Sequence, residues 1–299
     1  MAGRFCLVAI MSSLLFTAGC GGGGAKGPSL EQQLKKASAV TDPAQRAKQL
    51  APLGEKQLAA GDIINGEKTL NFALQSAAEV EDPASKAAAL IVVGQSMGRA
   101  GKTSEAKKTL REAAKALEGL EDPGEKAGAL ADLGTAVGLH LKNPDAAAEH
   151  LKNAELAAEK VETPFQKTIA YGKIITAYSK TDRPADATAA QAKASEFIAA
   201  LENPKDKVEC LAELANAMSK AKKTEEANTL FADAQKVAGE IEDPSARGYA
   251  FLAVGKRLKF AGRGDEARQA FGRADDAALK VTDGSIRGPL VADIQAANK

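Results

Sequence analysis

Residues 82–121 read DPASKAAALIVVGQSMGRAGKTSEAKKTLREAAKALEGLE, and this stretch decides the fold. Asp82-Pro83 is a helix start. A side-chain oxygen is placed to accept from first-turn amides, and the proline's missing N–H costs no hydrogen bond. Leu90, Val93, Gly94 and Met97 then fall on one helical stripe; Gly101 breaks it and Thr103 is placed to cap a second helix. Ala106, Leu110, Ala113, Leu117 and Leu120 form a second stripe. The unit is a helical hairpin with an apolar face on each helix.

Outward from this unit the same start recurs. Asp42-Pro43, Asp82-Pro83, Asp122-Pro123, Thr163-Pro164, Asn203-Pro204, Asp243-Pro244 and Asp283-Gly284 stand 40, 40, 41, 40, 40 and 40 residues apart. The stripes recur too, as Leu130, Leu133, Gly134, Val137, Ala147, Leu151 and Ala154, and as Phe251, Val254, Gly255, Leu258, Ala267, Phe271 and Ala274. The extra residue of the third unit falls in the turn at Lys142-Asn143-Pro144, as an insertion into a loop would. Gln45, Glu125 and Gln166 stand where a reciprocal capping box needs them. Pro52 lies inside the first helix of the first unit and is expected to kink it. The fourth unit departs most, with Ile175 at the glycine position and Gln191 at the large apolar one. Ser29 to Val40 reads as a lone second helix, with Ser29 and Gln32 as capping box and Leu34, Ala37 and Val40 facing the array; residues 284–299 read as a lone first helix.

The spacing of large apolar, apolar-Gly and aromatic-or-apolar positions, followed by Ala, large apolar and Ala on the next helix, resembles the tetratricopeptide repeat. The likeness covers residues 43 to 281 in six consecutive units. It departs in period, since that repeat ordinarily runs 34 residues; a longer second helix makes up the difference. HEAT-like repeats also run near 40 residues and stand as the fold-level alternative. The resemblance implies an all-α right-handed solenoid of helical hairpins with about fourteen helices. Its units are a half-repeat at 29–42, six repeats over 43–283 and a capping helix at 284–299. Such units cannot bury their faces alone, so each needs its neighbours.

Composition agrees. In 299 residues, 44% are hydrophobic and only 4% aromatic, with no Trp and three Cys. That is too apolar for a disordered chain and too poor in Cys for a disulfide scaffold. Few aromatics suit thin interfaces built from Ala and Gly. With 40 Lys+Arg against 39 Asp+Glu there is no global attraction to nucleic acid or to an anionic membrane.

Residues 1–19 read as a secretion signal: Arg4 supplies the charge, and the apolar stretch from Phe5 to Phe16 is too short to span a bilayer as a helix. Ala18-Gly19-Cys20 resembles the bacterial lipoprotein signal, although Thr17 stands where that family usually has Leu. The resemblance implies cleavage before Cys20, its acylation, and an exported protein anchored by lipid in the bacterial cell envelope, facing the periplasm. The alternative is ordinary cleavage that leaves Cys20 a free thiol. Residues 20–28 then form a Gly-rich tether with a reach of about 15 Å.

Chemistry is sparse. His140 and His150, with Glu149 nearby, fall short of a tetrahedral metal set and read as surface residues. Cys210 shares its column with Ala89, Ala129, Ala170 and Ala250, which marks a small buried side chain rather than a nucleophile. No catalytic constellation, cofactor motif or metal cluster is expected. A cation recurs three residues after each helix-start proline or its glycine equivalent: Arg46, Lys86, Lys126, Lys167, Lys207, Arg247 and Arg287. A cation near a helix N-terminus opposes the helix dipole. Pairing with Glu81, Glu121, Glu162, Glu202 and Glu242 is the expected offset, and a basic rail for an acidic ligand is the alternative.

In the resembled family, ligands lie against the first helices on the concave side. Here that face carries Gln95, Thr135, Thr176, Asn216 and Lys256 in one column and Arg99, Lys180 and Lys220 in the next. Such a column is suited to an extended peptide backbone, with the cations favouring carboxylates. The expected function is therefore a non-enzymatic scaffold that binds a protein or peptide partner. An envelope enzyme or a carbohydrate-binding protein using scattered carboxylates is the alternative.

Overall fold

The computed structural model describes residues 28–299; the signal segment, Cys20 and most of the tether lie outside the described residues. Among the described residues there are fourteen α-helices and no strand. After α1 (Leu30–Ser38) come six hairpins. They are α2 (Pro43–Ala59) with α3 (Ile63–Ala78), α4 (Pro83–Arg99) with α5 (Thr103–Glu118), and α6 (Pro123–His140) with α7 (Pro144–Glu159). The other three are α8 (Pro164–Lys180) with α9 (Pro184–Ala199), α10 (Pro204–Lys220) with α11 (Thr224–Glu240), and α12 (Pro244–Phe260) with α13 (Gly264–Ala278). The chain closes with α14 (Gly284–Asn298). This is an α-solenoid of helical repeats.

The helix starts follow the sequence, with corrections. Asp42, Asp82, Asp122, Asn203, Asp243 and Asp283 each accept a first-turn amide through the side chain. The box at Ser29 and Gln32 is complete in both directions, at 3.2 and 2.9 Å. At Asp42 and Asp122 only the carboxylate half of the box forms. Thr163 makes no cap bond; its hydroxyl instead donates to Gln166 Oε1 at 2.8 Å. Thr103 is itself the first residue of α5 rather than its cap, and Lys102 holds the cap position without a side-chain bond. Helix α2 runs from Pro43 to Ala59 without interruption at Pro52.

Each hairpin turns through one left-handed residue: Gly61, Gly101, Lys142, Asp182, Lys222 and Gly262, with φ between 50° and 84°. In most of them the amide after it reaches back five residues, as in Lys102 N to Met97 O and Arg263 N to Leu258 O, both 2.9 Å. That bond closes the helix C-terminus and sets the reversal.

Packing explains the repeat columns. A Cβ on Gly94, Gly134 or Gly255 would lie 2.7, 2.8 or 2.4 Å from the side chain of Leu110, Leu151 or Phe271, so the two helices of a unit meet only because glycine stands there. Between units the first helices α2, α4, α6, α8, α10 and α12 pack directly on one another. The second helices make no comparable row; each lies in the notch between its own first helix and the next. The first-helix side is therefore the tighter, inner side of the array.

Candidate functional site

The inner side gathers most of the residues expected on it. Gln95 from α4, Thr135 from α6, Thr176 and Lys180 from α8, and Lys220 from α10 line one open cavity of about 240 Å³. Gly172 makes its floor possible, since a Cβ there would lie 2.8 Å from Ala217 Cβ on α10. Four successive units thus contribute to one continuous depression.

The polar groups in it are not equivalent. Thr135 and Thr176 each donate their hydroxyl to a carbonyl of their own helix, Ala131 O at 2.9 Å and Gly172 O at 2.8 Å. They are left as acceptors for an incoming N–H. Asp132 faces Lys173 at 3.8 Å. Burial holds the Asp132 carboxyl above its ordinary range, with Lys173 and Lys180 pulling the other way. Lys180 and Lys220 are exposed and form no ion pair among the described residues. They are the cations on this surface available to a carboxylate.

Three expected members behave differently. Asn216 is buried at 2% exposure and does not reach the cavity. Its column is covered at α10, where the neighbouring units leave theirs partly open. Arg99 is tied to Glu55 of the preceding unit at 2.9 Å and is already neutralised. Lys256 lies on a second cavity of about 320 Å³, further along the same side, with Phe165, Tyr249, Phe260 and Arg257. Arg257 is held there by Glu213, 2.6 Å from Nε, and stacks 5.6 Å from the Phe165 ring. Phe165 and Tyr249 were not expected on this surface. They stand one and five residues after the helix-start proline, at positions where the other units vary from Ala44 and Gly124 to Lys205 and from Ala88 and Gly128 to Lys48, Ile169 and Glu209, so the columns carry no signal for them.

The repeated cations do not pair as expected. No ion pair among the described residues joins them to Glu81, Glu121, Glu162, Glu202 or Glu242. Five of the seven reach instead to carbonyls at or just past the end of the preceding second helix, while Lys167 lies over the Phe197 ring. Lys86 Nζ donates to Ala78 O at 3.0 Å, Lys126 to Glu118 O and Leu120 O at 3.3 Å, and Lys207 to Ala199 O at 2.9 Å. Arg247 donates to Ile241 O at 3.2 Å, and Arg46 to Val40 O at 3.1 Å while also pairing with Glu79. The negative end of one helix dipole thus offsets the unfavourable position on the next.

His140 and His150 are half-buried and lie on different helices, and no group of metal-ligating side chains occurs among the described residues. Cys210 is fully buried, and that burial raises its thiol pKa. No helix among the described residues is long and apolar enough to cross a membrane.

No protein-family profile matches the chain, and no curated protein sequence matches it. Among solved structures, Ton1535 from Thermococcus onnurineus NA1 aligns at 17% identity over 89% of this chain and 83% of its own, with a TM-score of 0.37. BtubC (BKLC) from P. vanneervenii aligns at 16% identity over 84% of this chain and 92% of its own, with a TM-score of 0.31. At scores this low neither likeness bears on what this chain does.

Proposed function

We propose that this chain is a non-enzymatic, tetratricopeptide-like scaffold that holds an extended segment of a partner protein along its inner face, tethered to the bacterial envelope through an acylated Cys20. One observation carries the reading. Side chains from four consecutive units, Gln95, Thr135, Thr176, Lys180 and Lys220, converge on a single open depression. An extended strand needs recognition spread over several repeats, and its amides need acceptors at the spacing of successive helices. Thr135 and Thr176 supply acceptors, and Lys180 and Lys220 supply charge for acidic side chains or a terminal carboxylate. The short apolar leader ending in Ala18-Gly19-Cys20 supports the anchor.

A photo-crosslinking amino acid at Thr176 in living cells tests the groove, with the same group at the exposed Lys236 on the second-helix side as control. Capture of a discrete protein at position 176 alone, weakened at least about fivefold in Lys180→Ala/Lys220→Ala through loss of two charge-assisted contacts, is expected. Equal capture at both positions, or capture indifferent to the two lysines, would overturn the groove. Labelling with a palmitate analogue tests the anchor separately: a Cys20→Ala chain that still takes up label disproves the lipid site.

A further inference from the structure

The first hairpin turn differs from the other five at its tip. Residues 59–65 read AAGDIIN, whereas the aligned stretch of every later turn carries at least one lysine or arginine. Ile63 and Ile64 open α3 and are 52% and 69% exposed. The later second helices open instead with Thr103-Ser104, Pro144-Asp145, Pro184-Ala185, Thr224-Glu225 and Gly264-Asp265. Leu139 and Phe260, also exposed beside turns, stand singly two and five units on. Single exposed apolar residues need no account; two isoleucines beside the exposed Ala59 and Ala60 form a patch.

The charges around this patch leave cations free and carboxylates occupied. Glu55 and Glu67 are each neutralised from the second unit, by Arg99 at 2.9 Å and by Lys102. Asp62 is committed to the start of α3, where it accepts from Asn65 Nδ2 at 3.0 Å. Lys56 and Lys68, about one helical turn back from the patch, are exposed and form no ion pair among the described residues. An apolar tip with amines behind it matches the layering of a lipid surface, hydrocarbon first and phosphates outside it.

Position decides what meets the patch. Helix α1 ends at Ser38 and α2 begins at Pro43, so the two lie antiparallel, and the N-terminus of α1 points toward the end of the array where the hairpins turn. Leu30 stands in the column of Leu70, seven residues into α3, so α1 begins about 10 Å short of that end. Cys20 lies nine positions before Ser29, and a chain of that length spans at most about 30 Å. An anchor at Cys20 therefore holds a bilayer within about 20 Å of the turn end. The first turn is the one next to α1.

We propose that Ile63 and Ile64 enter the phospholipid bilayer that holds the Cys20 lipid, with Lys56 and Lys68 at its phosphates. The proposal rests on the acylation of Cys20 put forward above. The lipid supplies affinity, and the isoleucine pair supplies orientation, because a second contact stops the array from turning about its tether. The site is separate from the inner groove and shares no residue with the cavity around Thr176.

The chain has no tryptophan, and Cys210 is fully buried, so residues 20–299 offer a silent background and one accessible thiol at Cys20. The test couples that thiol to a maleimide lipid in mixed phosphatidylcholine and phosphatidylglycerol vesicles with brominated acyl chains. With Ala60→Trp as reporter, emission should shift to the blue and be quenched by the bromines. An Ile286→Trp reporter, exposed at the opposite end of the array, should keep its emission. Ile63→Ser/Ile64→Ser should cut quenching at position 60 at least about threefold, through loss of both apolar side chains. Lys56→Gln/Lys68→Gln should cut it about twofold or more. No quenching at position 60, equal quenching at both reporters, or quenching indifferent to the isoleucines or to the lysines overturns the proposal. Because the lipid is attached chemically, these outcomes do not depend on acylation in cells. Absence of palmitate label on the native chain would overturn the anchor alone.

Discussion

Ile175 and Gln191 depart together from the pairing of a small residue with a large apolar one that the other units make at these two positions. Where Gly94 meets Leu110, Gly134 meets Leu151 and Gly255 meets Phe271, the fourth unit puts a fully buried isoleucine on the first helix and a half-buried glutamine on the second. Gln191 then accepts from Lys223 Nζ at 3.1 Å, an interaction a leucine would forfeit. The unit departs at both positions of one pairing, so the two substitutions should couple. Ile175→Gly alone should cost about 3–5 kcal/mol, from the cavity and from glycine in a helix. Gln191→Leu alone should cost about 1–3 kcal/mol by overpacking against Ile175. The double variant should be more stable than the sum of its parts by about 1 kcal/mol or more, measured by urea unfolding in a double-mutant cycle. Strict additivity would mean that the two positions do not share a volume.

The repeated cations give a second expectation. Lys86 and Lys207 donate to carbonyls at the ends of α3 and α9, where the helix dipole is negative. Lys86→Ala and Lys207→Ala should each lower stability by about 0.3–1 kcal/mol, more at low salt than at high. Glu81→Gln and Glu202→Gln should change it by less than about 0.5 kcal/mol, since neither carboxylate is paired. The reverse ranking in urea midpoints would restore the ion-pair ladder that the sequence suggests.

That contrast shows where sequence reasoning reached and where it stopped. The period, the caps at Asp42, Asp82 and Asp122, the stripe through Leu90, Val93 and Met97, and the burial of Cys210 depend on spacing along one helix, and spacing is printed in the sequence. Partners that depend on distance across helices are not. Glu81 is five residues from Lys86 in sequence and Ala78 is eight, yet it is Ala78 O that the amine reaches. Likewise Asn216 and Thr176 occupy the same column, but the packing of α10 buries one and leaves the other on the cavity. The two aromatics beside Lys256 escaped because Phe165 and Tyr249 stand in columns that vary from unit to unit. A variable column is silent until the third dimension puts its residues side by side.

Acid should weaken the array through its two histidines. Burial is the main cause that lowers the pKa of both His140 and His150 from the ordinary 6.5, with Arg99 adding to the effect at His140. A base whose folded pKa is depressed binds more protons unfolded than folded. Stability is then full above the ordinary value and falls as pH drops through the window beneath it. Melting temperatures at pH 7.5 and 5 should differ more for the wild-type chain than for His140→Gln/His150→Gln. An equal drop in both would place the acid sensitivity in the carboxylates. Asp82 and Asp283, held below the ordinary carboxylate range by their cap bonds to Ser85 and Ser285, lose those contributions only at lower pH.

The hairpin turns separate into two classes that stability should distinguish. Gly61, Gly101 and Gly262 hold the left-handed position at no steric cost, whereas Lys142, Asp182 and Lys222 hold it at φ of 50°, 57° and 61° with a Cβ crowding the carbonyl. The turn bonds themselves are alike: Lys223 N reaches Met218 O and Arg263 N reaches Leu258 O, both at 2.9 Å. The backbone geometry is therefore imposed by the hairpin and not chosen by the residue. Relieving it at Lys222 should help, because its exposed side chain makes no ion pair among the described residues. Lys222→Gly should raise stability by about 0.5–1 kcal/mol, the left-handed penalty of about 1–2 kcal/mol less the entropy glycine adds to the unfolded chain. Gly101→Ala should lower stability by about 1 kcal/mol for the same reason. Thermal unfolding of both variants checks the pair, and a Lys222→Gly chain that melts below wild type would show that the unfolded-state entropy outweighs the strain.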